Sequence, residues 1–589
     1  MNFVSTARLS DDEIGKPDKQ DNSSLADITG RKIKRNQVFL STGRIQVSRY
    51  QMEKETKYDA PQGVSHSGSC SKSGCREEEF MYSSIMSAAL YGLDVTTVRV
   101  ETDTGDGLPV FAMVGYLSAQ VREAQDRVRS AFHNAGLTLP TKRITVNLSP
   151  ADIPKSGSRF DLPIALSLLA SSGKIPAESL ENVMAAGELS LSGELIPVSG
   201  ILPIAMKAKE DGVRLLAVPK ENESEALAVE GLPVVGLSSI REAVSFFLGG
   251  AVPPSTQLHS LYPGLNRYSE DLSDIRGQQS AVRAATISVA GFHNLLLIGT
   301  PGSGKTMLAR RIPSILPSLT SEESLEISRI YSIAGLLNRD HPLTGTRPFR
   351  HPHHTISPQA LAGGGKNPVP GEVTLAHRGV LFLDEMPEFQ PQALEILRQP
   401  LEDREIIISR TSGSFRFPAN FLLLAAMNPC PCGYFPDMNR CRCSPKAISD
   451  YQNRISKPLL DRIDLSVSCP PVSYAELTGN GTAAASSASV RTQVEAVRET
   501  EAFRFRGTGL HFNSEIPARD IEKYCRLSAK AARALEFAFQ NRRLSARSYY
   551  RIVRVARTIA DLDGSEEIRV RHIDESLTYR PVDETYWAT

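Results

Sequence analysis

Asn294-Leu295-Leu296-Leu297-Ile298 runs without a break into Gly299-Thr300-Pro301-Gly302-Ser303-Gly304-Lys305-Thr306, and this junction sets the fold class. A short apolar run suits a strand buried on both faces, as in a parallel sheet. The glycines after it let backbone amides wrap phosphates at the start of a helix, which Met307 to Ile312 supplies. The spacing is that of a P-loop, in which Lys305 reaches the β and γ phosphates of ATP and the Thr306 hydroxyl binds Mg2+. The prediction is an α/β protein built on a P-loop parallel sheet.

Two further strands belong to the same site. Val380-Leu381-Phe382-Leu383 delivers Asp384 and Glu385 at its carboxyl end, where ligands of open parallel sheets collect. Asp384 is expected in the magnesium shell and Glu385 beside the attacking water. Phe421 to Met427 ends in Asn428, an amide suited to orienting that water, although Asn is also a common turn residue. Between these strands, Arg404 to Arg410 and Phe415 to Phe417 flank Thr411-Ser412-Gly413-Ser414 and read as a hairpin. Arg410 and Arg416 near its tip are candidate contacts for DNA phosphates, with Phe415 or Phe417 free to stack on bases. A surface hairpin with ordinary arginines is the competing reading.

Just after Asn428 come Cys430, Cys432, Cys441 and Cys443, two Cys-x-Cys pairs able to surround Zn2+ tetrahedrally and staple a loop too small to own a core. Free thiols are the alternative. His351, His353 and His354 have no carboxylate or cysteine close by in sequence. They read better as a structural or polynucleotide-contacting loop than as a metal site.

The chain has 589 residues, enough for several domains, and 67 Lys+Arg against 66 Asp+Glu, which excludes a globally basic nucleic-acid binder. No apolar run approaches the length of a membrane span and no signal-peptide layout opens the chain, so a cytoplasmic protein without a membrane partner is expected. Eight cysteines are too few for a disulfide scaffold. Residues 1–80 are polar and aperiodic, read either as a disordered tail or as an extension ahead of a true translation start at Met81. Residues 81–250 alternate strand and helix patterns, with one helix expected over Ser118 to Ala135. Residues 251–274 are a linker, 275–475 the P-loop core, 476–491 a flexible connector and 492–589 a helical lid.

Together with the P-loop, Arg347-Pro348-Phe349-Arg350-His351-Pro352-His353-His354-Thr355, His377-Arg378-Gly379-Val380-Leu381-Phe382-Leu383-Asp384-Glu385 and Pro458-Leu459-Leu460-Asp461-Arg462-Ile463-Asp464 resemble the AAA+ ATPases, specifically the magnesium-chelatase-like YifB/ComM group. The resemblance implies that Arg462 is an arginine finger completing a neighbour's site, hence a homohexameric ring. It also implies that Arg547 is the second sensor on the lid, with Arg551 and Arg554 as rivals. In related proteins the hairpin points into the pore, and Ala362-Gly363-Gly364-Gly365-Lys366 would be a second pore loop.

Pro154-Lys155-Ser156-Gly157-Ser158-Arg159-Phe160-Asp161 and Gly187-Glu188-Leu189-Ser190-Leu191-Ser192-Gly193 resemble the Lon protease domain. Overlaying the motifs puts Arg159 at the serine position and Leu202 at the lysine position, so the dyad is missing and no peptidase activity is expected. The resemblance as a whole implies a motor moving on single-stranded or branched DNA. A protein-remodelling ATPase acting on a partner complex is the alternative.

Overall fold

Period-two alternation runs along the longer strands of the N-terminal sheet of the computed structural model, which describes residues 82–251, 269–338, 340–365, 368–410, 413–477, 485–542 and 544–580. Its seven strands lie in the order Phe111–Val114, Arg143–Ser149, Asp94–Gly105, Tyr82–Tyr91, Val183–Ala185, Leu215–Pro219 and Val234–Leu237. The helix Asp161–Ser171 packs on this sheet with every residue buried, as its apolar sequence requires. The single helix expected over Ser118 to Ala135 is two, Ala119–Arg122 and Ala124–Asn134. Glu123 between them keeps right-handed helical angles, so Val121, Ala124, Val128, Ala131 and Phe132 still share one buried face.

The P-loop sheet is parallel throughout, ordered Phe349–Arg350, Val380–Leu383, Leu422–Met427, Leu295–Gly299, Leu465–Cys469. Register pairs Ile298 with Met427 and Leu383 with Ala425, so Gly299, Asp384 and Asn428 leave the sheet at one edge. Its strands are apolar on both faces because both are covered. Leu295, Leu297, Val380 and Phe382 meet helix Gln279–Gly291 and part of the C-terminal helices, whereas Leu296, Ile298, Leu381 and Leu383 enter a second core with Met386, Phe389 and Leu397.

Helices Ser487–Arg504, Ala529–Asn541, Ala546–Leu562 and Val570–Thr578 form the C-terminal region. Phe512 stacks on Phe292 with centroids 4.3 Å apart, and Thr558 meets the buried His293 at 2.8 Å, joining this region to the P-loop core. The α/β class with its parallel sheet and helical C-terminal region is therefore as predicted. No described helix is long and apolar enough to cross a membrane. The readings made for residues 1–81, for most of the linker and connector, and for Lys366, Thr411 and Ser412 lie outside the described residues.

Candidate active site

Positive φ at Gly302 (76°) and Gly304 (86°) turns the loop so that helix Lys305–Arg311 begins directly beneath it. Lys305 Nζ donates to the carbonyls of Gly299 (2.8 Å) and Thr300 (2.9 Å) and to Asn428 Oδ1 (3.2 Å). Burial pulls its pKa below the usual lysine value, and Asp384 and Glu385 push back only at a distance. An ammonium held by neutral dipoles is ready to exchange them for phosphate oxygens. Thr306 Oγ1 donates to Asp384 Oδ2 at 2.7 Å. A hydroxyl facing a carboxylate is a hard oxygen donor set that fits Mg2+. The Ser303 hydroxyl, buried at the same loop, has no hydrogen-bond partner among the described residues. Gln278, which sequence reasoning missed, ties the loop to the last strand by donating to the Ser303 (3.0 Å) and Pro470 (2.7 Å) carbonyls.

Glu385 takes a left-handed backbone, φ 52° and ψ 45°, uncommon for a residue with a side chain and costly enough to be kept mainly at functional positions. Its amide donates to Asp384 Oδ1 at 3.0 Å and its Oε2 lies 3.5 Å from His354 Nδ1. His354 in turn stacks near His353 (4.1 Å), while His351 lies against Phe382 (4.7 Å). The histidine segment thus lines the carboxyl edge of the sheet beside Glu385, a placement no local signal disclosed. Among the described residues the group of three or more metal-ligand side chains that converges is Cys430, Cys432, Cys441 and Cys443, whose sulfurs all lie within 4.8 Å of one another.

Arg462 and Arg547 are not at this edge. The Arg462 carbonyl accepts from Asn294 Nδ2 (2.8 Å), one residue before the start of the P-loop strand, whereas Lys305 sits against Gly299 at its end. Both guanidinium groups instead converge on Glu402, with Arg547 Nη2 2.9 Å from Oε1 and Arg462 Nη2 bonded to Oε2. A cavity of about 820 Å³ opens here, with Arg404, Arg462, Arg551 and Arg554 in its lining. Arg404 Nη1, Arg462 Nε and Arg554 Nε are buried there without a hydrogen-bond partner among the described residues. Arg551, paired with Asp464 at 3.7 Å, has its pKa pulled down to about 10 by burial.

The hairpin pairs Glu405–Arg410 with Gly413–Pro418, in register from Glu405 and Pro418 to Arg410 and Gly413. Arg410 and Arg416 are exposed, and Arg410 Nη2 comes within 3.3 Å of where a Cβ on Gly364 would stand, so both expected pore elements meet. Phe415 and Phe417 are not free to stack on bases. They alternate onto the face shared with Ile406 and Ile408, 5% and 0% exposed, and that face packs on Tyr91 and Leu93 of the N-terminal sheet. The Tyr91 and Phe415 rings stack at 4.3 Å.

In the N-terminal domain, Leu202 is buried in helix Ile201–Glu210 and Arg159 lies beside it, its Nη1 3.6 Å from a Cβ built on Gly200. Burial lowers the Arg159 pKa to about 10. Ser158 Oγ donates to Glu188, not to a lysine.

Three family models match successive parts of the chain. The model of magnesium chelatase subunit ChlI covers residues 271–477, a second ChlI model covers 100–222, and the ChlI C-terminal model covers 484–580. The competence protein ComM of Haemophilus influenzae is 44% identical over 499 residues, 84% of this chain and 97% of its own length. YifB of Escherichia coli is 42% identical over 84% of this chain and 96% of its own length. Lon protease 2 of Bacillus subtilis is 25% identical over 145 residues, 24% of this chain and 25% of its own length.

Proposed function

From a chain that belongs to the magnesium-chelatase-like ComM/YifB family, we propose an Mg2+-dependent AAA+ ATPase whose subunits close into a homohexameric ring that moves single-stranded or branched DNA, as in branch migration. The family implies ATP and Mg2+. Gly299 to Thr306 would cradle the triphosphate, with Lys305 exchanging carbonyl partners for phosphate oxygens. Mg2+ bound by Thr306 and Asp384 would neutralise charge on the β and γ phosphates. Asn428 would orient the attacking water and Glu385 accept its proton. Zinc on the four cysteines would be a structural companion to this site, and the N-terminal domain, with Arg159 and Leu202 at the dyad positions, a non-proteolytic collar. A cytoplasmic setting goes with this reading.

The observation that carries the proposal is the split of the machinery between opposite ends of one sheet. Lys305, Asp384 and Glu385 stand at the carboxyl edge, and Arg462 and Arg547 at the amino edge, away from their own chain's loop, which supports a role for them at another copy's nucleotide. For DNA, support comes from the exposed Arg410 and Arg416 beside the glycine-rich loop.

ATP turnover with and without single-stranded or branched DNA tests this directly. DNA should stimulate the rate, and Arg410→Ala combined with Arg416→Ala should abolish the stimulation. The three chelatase models favour protein remodelling as a second reading, and a rate indifferent to DNA would select it.

A further inference from the structure

The segment between Asn428 and the helix Pro445–Gln452 contains only turns and bends, with no strand ladder or helix to hold it. Its small core is Cys430, Cys441 and Ile448, joined by Cys432, Cys443, Tyr434 and Phe435. Four thiols make a poor core. Their sulfurs are instead spaced as ligands, with Cys430 to Cys432 at 3.4 Å, Cys432 to Cys441 at 3.6 Å and Cys430 to Cys441 at 3.8 Å. A tetrahedral Zn2+ with bonds of about 2.3 Å requires sulfur edges of about 3.8 Å, whereas a disulfide requires about 2.05 Å. The Phe435 amide donates to Cys430 Sγ at 3.4 Å, a bond that stabilises a thiolate. Arg440, Arg442 and Lys446 flank the ligands, a basic setting for a tetrathiolate centre of net negative charge.

This loop lies on the nucleotide site. Gly433, with φ 84°, follows Cys432 and packs so tightly on the P-loop that a Cβ there would fall 2.3 Å from Pro301 Cδ. Two residues before Cys430, Asn428 receives Lys305 Nζ. Gln452 Nε2 donates to the Pro429 carbonyl at 3.1 Å, closing the loop from its far end.

We infer that Cys430, Cys432, Cys441 and Cys443 bind one Zn2+, and that the metal sets nucleotide affinity by holding Gly433 against Pro301 and Asn428 beside Lys305. The coupling, though not the metal site, rests on the P-loop being the ATP site. Loss of the ion would slacken the loop and weaken ATP binding, tying nucleotide affinity to metal status.

The full chain, purified under reductant without added metal, should carry about one zinc per subunit by elemental mass spectrometry. Cys441→Ser with Cys443→Ser should lose it. Stripping zinc from the wild-type chain with a mercurial and a chelator should weaken binding of a fluorescent ATP analogue at least about tenfold. Gly433→Ala keeps all four cysteines, so it should retain zinc yet show a similar loss of analogue affinity. Absence of metal, or iron in its place, would overturn the site. Unchanged analogue affinity after stripping or in Gly433→Ala would overturn the coupling. Neither readout uses DNA or turnover, so both stand even if DNA leaves the ATPase rate unaltered, and a wild-type zinc-loaded chain that bound no ATP analogue would point instead to failure of the nucleotide-site reading.

Discussion

Arg462→Ala, mixed with Lys305→Ala, tests whether each nucleotide site is shared between subunits. Arg462 is anchored at Asn294 and Lys305 at Gly299, and the intervening strand rises by roughly 3.3 Å per residue, so the two lie about 16 Å apart. That gap exceeds the reach of any arginine side chain, and Arg462 already points the other way, to Glu402. Loss of a finger costs about 10³- to 10⁵-fold in turnover, or roughly 4–7 kcal/mol of transition-state stabilisation. Each homogeneous variant should therefore be nearly inactive. In a randomly mixed ring, an intact P-loop from an Arg462→Ala subunit meets an intact finger from a Lys305→Ala subunit at about one site in four. A coupled phosphate-release assay on co-refolded or exchanged mixtures should recover activity on that order. Mixtures shown by mass to contain both subunits, yet as dead as their parents, would refute the shared site. So would Arg462→Ala rings retaining most of the wild-type rate.

Thr306→Ala removes the hydroxyl 2.7 Å from Asp384, and a Mg2+ titration of turnover should show half-saturation rising about tenfold or more; an unchanged titration would place the metal elsewhere. Phe415→Ala empties part of a buried face and its Tyr91 stack, costing about 3–4 kcal/mol, read as a lower melting temperature and faster amide exchange in residues 405–418. A base-stacking role would instead lower DNA affinity and leave melting alone. His293 is buried beside Thr558 and its pKa is driven down to about 4, so it stays neutral in the folded chain while the unfolded chain takes up a proton near the ordinary 6.5. Its contribution is complete above pH 6.5 and drains away as pH falls towards 4, by about 3 kcal/mol; urea midpoints at pH 7.5 and 5 should differ less in His293→Gln than in the wild type.

How much was readable in advance depended on chain distance. Leu295 to Ile298, Val380 to Leu383 and Leu422 to Met427 announce themselves because strands buried on both faces must be apolar throughout. The hairpin was equally plain from two β-rich runs around a Gly-containing turn, but that pattern does not say that Tyr91 covers the face Phe415 and Phe417 share. Glu402 escaped notice altogether. It is an ordinary acid at the end of a short helix, and its meaning comes from Arg462 and Arg547, 60 and 145 residues away. Gly433 follows Cys432 directly in the chain, but nothing local shows its contact with Pro301.

Composition and local spacing settled the class of fold, the strand-to-helix turn at Gly299 to Lys305, the acids that follow the second strand and the paired cysteines, because backbone stereochemistry and ligand geometry act over a few residues. Tertiary packing alone settled which end of the sheet each charge occupies, that Arg462 faces away from Lys305, that the aromatic residues of the hairpin are spent on the N-terminal sheet, and that the cysteine loop rests on the loop before Lys305. Those outcomes depend on how distant apolar faces find one another, and that is encoded in no single stretch of the chain.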